Sequence, residues 1–156
     1  MYTPVKILLV DEDPDLIKVL GIVLRQHGYI VRTALSGSQA MDIFSRHSFD
    51  LAVIELSISD MSGITLMNKI RGIEPAQKMI AISVHPLGCR FWNSNQISIP
   101  FEGGILGSSD VKCLSKPFKL EKLLQLIKDF TGEVYPSPEI TEHNSTRWRM
   151  VRTLLG

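Results

Sequence analysis

Short apolar runs alternate with segments of helical spacing along most of the chain. Val5–Val10 is apolar and β-rich and predicts a strand. Asp11-Glu12-Asp13-Pro14-Asp15 follows, with Pro14 suited to the first helical position and Asp13 to the cap before it. Leu16, Leu20, Val23 and Leu24 recur at helical spacing, and Gly28 closes that helix. Tyr29–Ala34 predicts a second strand, Ser36-Gly37-Ser38 a turn, and Ala40, Met41 and Phe44 a short helix ending near His47. Phe49–Glu55 predicts a third strand. Its stretch Leu51–Ile54 is continuously apolar, as in a central strand buried on both faces. A helix over Gly63–Arg71 presents Ile64, Met67 and Ile70 to the core, and Met79–Val84 predicts a fourth strand. Val111–Ser115 is a fifth, weaker one. Leu120, Leu123, Leu124 and Ile127 predict a last amphipathic helix ending near Gly132. Strands and helices alternating at this spacing argue for an α/β fold around a parallel sheet, with helices on both faces.

Two regions depart from the pattern. Residues 85–109 hold two prolines, four glycines and several Ser and Asn, without a sustained helical period. A structureless loop of that length is uncommon inside a compact domain, so the stretch is either functional or conceals a short helix near Cys89–Asn95. Its Phe91, Trp92 and Phe101 are aromatic anchors of the kind that dock partners, or they cover the core where a helix is missing. After Gly132, Glu-Val-Tyr-Pro-Ser-Pro-Glu has linker composition. Asn144–Leu155 can then form a basic helix with Arg147, Arg149 and Arg152. The expected organisation is a domain over residues 1–132, followed by a linker and short basic helix over 133–156. That helix leads toward an output domain, docks a partner, or packs Trp148 and its leucines onto this domain or a twin. Three arginines make a weak nucleic-acid footprint, so nucleic acid is not the expected partner.

Composition narrows this picture modestly. The 156 residues are 44% hydrophobic with a net charge of +1, which fits one domain able to bury a core and gives no general affinity for polyanions. Cys89 and Cys113 are too few for a disulfide framework and ill-spaced for zinc, and point weakly to a reducing compartment. The early apolar run is too short for a signal peptide, and no run approaches the ~20 residues of a membrane helix. A cytoplasmic location is expected.

In an open parallel sheet, ligands bind beyond the carboxyl ends of the strands. Asp11, Glu12 and Glu55 all fall there, as do Ser83 after the fourth strand and Lys116-Pro117 after the fifth. The pieces Ile-Leu-Leu-Val-Asp-Glu-Asp-Pro, Phe-Asp-Leu-Ala-Val-Ile-Glu-Leu, Met-Ser-Gly, Met-Ile-Ala-Ile-Ser and Lys-Pro-Phe are each weak alone. In this order and at strand ends, they make the chain from about Val5 to Phe130 resemble a response regulator receiver domain of two-component signalling. The resemblance implies a flavodoxin-like (βα)5 fold of strand order 2-1-3-4-5. It also implies a site of a particular chemistry. A carboxylate on the third strand accepts a phosphoryl group, and an acidic pair, here Asp11 and Glu12, holds Mg²⁺ through oxygen ligands. A hydroxyl, here Ser83, and a lysine, here Lys116, bind phosphoryl oxygens. The Lys116–Pro117 bond is expected to be cis.

The chain departs from that pattern at several positions. Glu55 stands where the family has aspartate, Cys113 where it has an aromatic switch residue, and Ser59 where it usually has proline. The fourth helix is atypical or missing. One extra methylene moves the Glu55 carboxylate outward by ~1.5 Å, about one C–C bond. A misplacement of ~1 Å can cost ~100-fold in an in-line reaction. Glu55 is then either a fixed signal element paired with Lys116, mimicking part of a phosphoryl charge, or an acid at a solvated strand end. Asp11 and Glu12 bind Mg²⁺ weakly, alone or with Glu55, or serve the dipole of the helix they precede. Ser83 is a switch hydroxyl or a strand-end hydroxyl bonding backbone, and Cys113 reads as a small buried apolar residue.

The first expectation is therefore a pseudo-receiver: a phosphorylation-independent interaction module, not an enzyme. Its partners would be proteins such as a histidine kinase, an output protein or a second copy, with no membrane involved. The alternative is a receiver still phosphorylated by a histidine kinase on Glu55 or on Asp60, although Asp60 lies in the following loop. A third reading is a nucleotide- or flavin-binding protein on the same fold. It is disfavoured because no Gly-rich phosphate loop follows the first strand.

Overall fold

The computed structural model describes residues 3–84, 99–101, 104–106 and 110–132. Its centre is a parallel sheet of β1 (Lys6–Val10), β2 (Ile30–Ala34), β3 (Leu51–Glu55), β4 (Lys78–Ser83) and β7 (Val111–Ser115). The strand order is β2-β1-β3-β4-β7. An antiparallel hairpin of β5 (Ile99–Phe101) and β6 (Gly104–Leu106) lies between β4 and β7 in the chain. With that hairpin set apart, the order is the expected 2-1-3-4-5 of a flavodoxin-like fold.

The helices are α1 (Pro14–Gln26), α2 (Gly37–Arg46), α3 (Gly63–Ile73) and α4 (Leu120–Thr131). Among the described residues no helix lies between β4 and β7, and the hairpin there was not anticipated. Its three-residue strands, interrupted by Pro100 and by two glycines, show no period long enough to read. The candidate short helix near Cys89–Asn95, Phe91 and Trp92, and the 133–156 linker and tail lie outside the described residues.

The period-2 pattern of the strands explains why the sheet is buried on both sides. Ile7, Leu9, Leu51, Val53, Ile80, Ile82 and Leu114 face one layer, where they join the inner faces of α1 and α4. Leu8, Val10, Ala52, Ile54, Met79 and Ala81 face the other, with Ala40 and Phe44 of α2 and Leu66, Met67 and Ile70 of α3. Leu66 therefore takes the core position that helical spacing assigned to Ile64, which is only partly buried.

Local chemistry sets most of the helix starts. Asp13 accepts from the backbone N–H groups of Asp15 and Leu16, Ser36 from that of Gln39, and Ser62 from that of Thr65. The left-handed Gly132, at φ 66°, closes α4, donating its N–H to the Lys128 carbonyl.

One glycine is fixed by proximity. A β-carbon on Gly63 would collide with the Glu55 carbonyl oxygen and come 2.6 Å from Leu56 Cα, so α3 can start against the end of β3 only without a side chain. The Gly63 N–H also donates to the Leu56 carbonyl at 2.9 Å. Gly63→Ala is predicted to destabilise the fold by about 1–3 kcal/mol, the range for overpacking. Gly72→Ala meets nothing within 4 Å and should stabilise it by about 0.5–1 kcal/mol. Urea midpoints of the two variants check both signs.

Candidate functional site

The site is built where strands end. Parallel register pairs Val10 with Ile54 and Glu55 with Ile82. Continuing the β1–β3 register by one residue sets Asp11 beside Glu55. Both are buried, with 4% and 3% of their surface exposed, which removes the reading of Glu55 as a solvated strand end. Two buried carboxylates side by side need a compensating charge. Lys116 supplies it from the end of β7, which lies beyond β4. Its Nζ donates to Asp11 Oδ2 at 2.6 Å and stands 2.8 Å from Glu55 Oε2.

The Glu55 contact is an ion pair without hydrogen-bond direction, so Oε2 is buried with a charge partner but no aligned donor. The other carboxylate oxygens are engaged locally: Glu55 Oε1 accepts from the Ser57 N–H and Asp11 Oδ1 from the Asp13 N–H. Burial by itself would lower the Lys116 pKa. The contacts with Asp11 and Glu55 outweigh it and leave the ammonium raised above its ordinary value.

Ser83 is buried at the end of β4, and its carbonyl accepts from the Lys116 N–H at 2.8 Å. The Lys116–Pro117 bond is cis, as the resemblance implied. Cys113 lies buried on β7 and is disulfide-bonded. Its burial agrees with the reading of a small buried residue, and the disulfide was not anticipated, because spacing along a chain does not reveal which Cα atoms approach within bonding range. The other cysteine, Cys89, lies outside the described residues. Phe101 ends β5, remote in sequence from the carboxylates.

Glu12 does not join the pair. It turns outward, and its Oε2 accepts both the backbone N–H of Ser59, at 2.9 Å, and the Ser59 hydroxyl. These bonds lower the Glu12 pKa. The next residue, Asp60, spans to another element. Its Oδ1 accepts from the Gly37 N–H at 2.9 Å, and its Oδ2 from the Ser38 N–H at 2.8 Å and the Ser38 hydroxyl at 2.7 Å. A carboxylate thus serves the unsatisfied first turn of α2 from across the chain. The hydroxyl and the two backbone donors pull its pKa down to about 2.

The roles of Ser59 and Asp60 as cross-links escaped the sequence reading. The available signal was that Gly37 and Ser38 open a helix and leave donors in need of an acceptor.

Magnesium requires near-octahedral oxygen ligands at ~2.0–2.1 Å. Asp11, Glu12 and Glu55 offer the right atoms, but two of them face Lys116 and the third faces Ser59. Among the described residues no group of three or more His, Cys, Asp or Glu is placed to hold a metal ion. As arranged, the carboxylates do not fit the cation. No helix among the described residues is long and apolar enough to cross a membrane.

A parallel sheet of this order, with carboxylates and a lysine at its carboxyl end, is the architecture of a signalling receiver. Residues 7–87 match the response regulator receiver domain family, to which the chain belongs. Receiver domains bind Mg²⁺ at their phosphorylation site and work with histidine kinases and output domains. The transcriptional regulatory protein GlrR of Escherichia coli K12 is 30% identical over 148 residues, covering 95% of this chain and 30% of that protein. The chain therefore spans under a third of this relative's length. Among solved structures, the CheY-like receiver domain from Methanospirillum hungatei superposes with a TM-score of 0.66 at 23% identity, covering 81% of this chain and 93% of that one. The response regulator TrrA of Thermotoga maritima, solved in complex with Mg²⁺-BeF, gives 0.63 at 22% identity, covering 80% and 97%. At these identities the two structures bear on the fold.

Two predictions arise from the charges. Lys116→Met leaves Asp11 and Glu55 buried without a cation and should cost about 2–3 kcal/mol at neutral pH. That is somewhat below the range for a fully buried pair, because Lys116 is partly exposed. Since the folded ammonium has a raised pKa, its contribution is full below the unfolded lysine value and is lost as pH climbs through the folded one. On the alkaline side, the gap between wild type and variant should therefore close only in strongly alkaline solution. Asp60 behaves oppositely: its contribution is full above the ordinary carboxylate value and is lost as pH falls through about 2. Asp60→Asn should flatten the acid limb of the stability profile between roughly pH 4 and pH 2. Urea midpoints across pH measure both effects.

Proposed function

We propose that this chain is an atypical receiver whose state is set by a built-in ion pair, and that it signals through protein contacts without phosphorylation at position 55. The observation that carries this reading is the buried 2.8 Å contact between Glu55 and Lys116. By the family resemblance, Lys116 is the cation that would receive phosphoryl oxygens, and here a protein carboxylate already engages it. Glu55 contributes one negative charge where a phosphoryl group adds about −1.5 to −2, so the arrangement imitates an activated site in part. Cys113 in place of an aromatic residue supports the same reading, since a ring-rotamer relay has no ring to move.

Asp60 is a poor substitute acceptor, because both of its oxygens are occupied at the start of α2. A cytoplasmic setting and partners of the histidine-kinase, output-protein or self-association type accord with family membership. The name of GlrR makes an output protein that regulates transcription the first partner to seek.

The test is intact mass after incubation with Mg²⁺ and a small phosphodonor, for wild type beside Glu55→Asp. The expected outcome is an unmodified wild type and a variant that gains one phosphoryl group. A phosphorylated wild type would make the chain a working receiver with an unusual acceptor. If neither is modified, the loss of acceptance lies beyond Glu55.

A further inference from the structure

The outward Glu12 carboxylate calls for a physical account. Three carboxylates at one sheet edge, with one ammonium among them, leave an excess of negative charge that favours a cation. The obstacle to chelation is therefore geometric. Asp11 has both oxygens engaged, by Lys116 and by the Asp13 N–H. Glu55 has one oxygen on the Ser57 N–H and the other, buried and without an aligned donor, against Lys116. Glu12 is the exposed member with conformational freedom to reach toward them, and Ser59 directs two donors onto a single one of its oxygens.

We propose that Ser59 is a positioning residue that latches Glu12 away from the Asp11–Glu55 pair and thereby weakens the hold of this acidic edge on a divalent cation. The proposal deepens the reading of a phosphorylation-independent receiver, because it accounts for the mismatch between the carboxylates present and the cation the family binds. The lowered Glu12 pKa accords with it, since the Ser59 donors stabilise the ionised carboxylate in its outward position. Ser59 is itself exposed, so its hydroxyl can be removed without opening the core.

The experiment titrates the full chain with magnesium chloride and follows the backbone amide shifts of Asp11, Glu12 and Glu55. Wild type is compared with Ser59→Ala, Ser59→Thr, Glu12→Gln and the Ser59→Ala/Glu12→Gln double variant. Removing the hydroxyl should tighten Mg²⁺ binding about fivefold, the order expected for one exposed hydrogen bond to a charged group. Ser59→Thr keeps a donor and should bind as wild type does. In the Glu12→Gln background the Ser59→Ala change should have no effect, a result that a general loosening of the loop would not produce.

Equal Mg²⁺ affinity of wild type and Ser59→Ala overturns the proposal, as does absence of cation-induced shifts in both. A gain that persists without the Glu12 carboxylate overturns it too. Cation affinity is read independently of phosphorylation. A wild type that gains phosphoryl mass would therefore refute the functional reading while leaving the latch to be judged on the titration.

Discussion

The carboxyl end of the sheet depends on one ammonium group. Parallel register forces Asp11 and Glu55 next to each other, and burial strips both of water. Neither charge could be accommodated there alone. The neutralising lysine comes from β7, on the far side of β4, so the four-carbon stem of Lys116 has to carry its charge back to β1 and β3. A long apolar stem with a compact charged head suits that task. The backbone bond from Lys116 to the Ser83 carbonyl anchors the start of this reach on the intervening strand. Strands from the centre and the edge of the sheet are thus coupled through a single cation.

The loop after β3 distributes the consequences. Within a few residues it donates to Glu55 through Ser57, holds Glu12 through Ser59, and serves the start of α2 through Asp60. It ends at Gly63, where α3 begins in direct contact with the backbone of Glu55 and Leu56. A displacement of the Glu55 backbone is therefore felt at the beginning of three helices. These cross-links tie the end of β3 to the start of each of the three helices around it. Glu55 pairs with Lys116 while Glu12 turns outward to Ser59, so two of the acids at this edge are held by different protein partners.

Much of this molecule was legible along the chain. Leu51–Ile54 reads as a central strand because an uninterrupted apolar run tolerates no solvated face, and its burial on both sides agrees. The helices were legible from their spacing and from Asp13, whose side chain can satisfy N–H groups only a few residues ahead. The hairpin of β5 and β6 was not legible, because three-residue strands are too short to display a period. Nor was the bonded state of Cys113, which depends on a distance in space.

The sequence by itself determined the five strands of the parallel sheet and its helices, their alternation and the placement of acids and a lysine at strand ends, since these follow from local periodicity and from the β-strand's period of two. Tertiary structure decided which charges meet. Lys116 reaches both Asp11 and Glu55, Glu12 departs to Ser59, and Asp60 turns to α2, through contacts between loops far apart in the chain. Those choices rest on sheet order and register, which set the loops side by side. They also rest on the cost of burying charge, which rewards whichever pairing the assembled sheet makes possible.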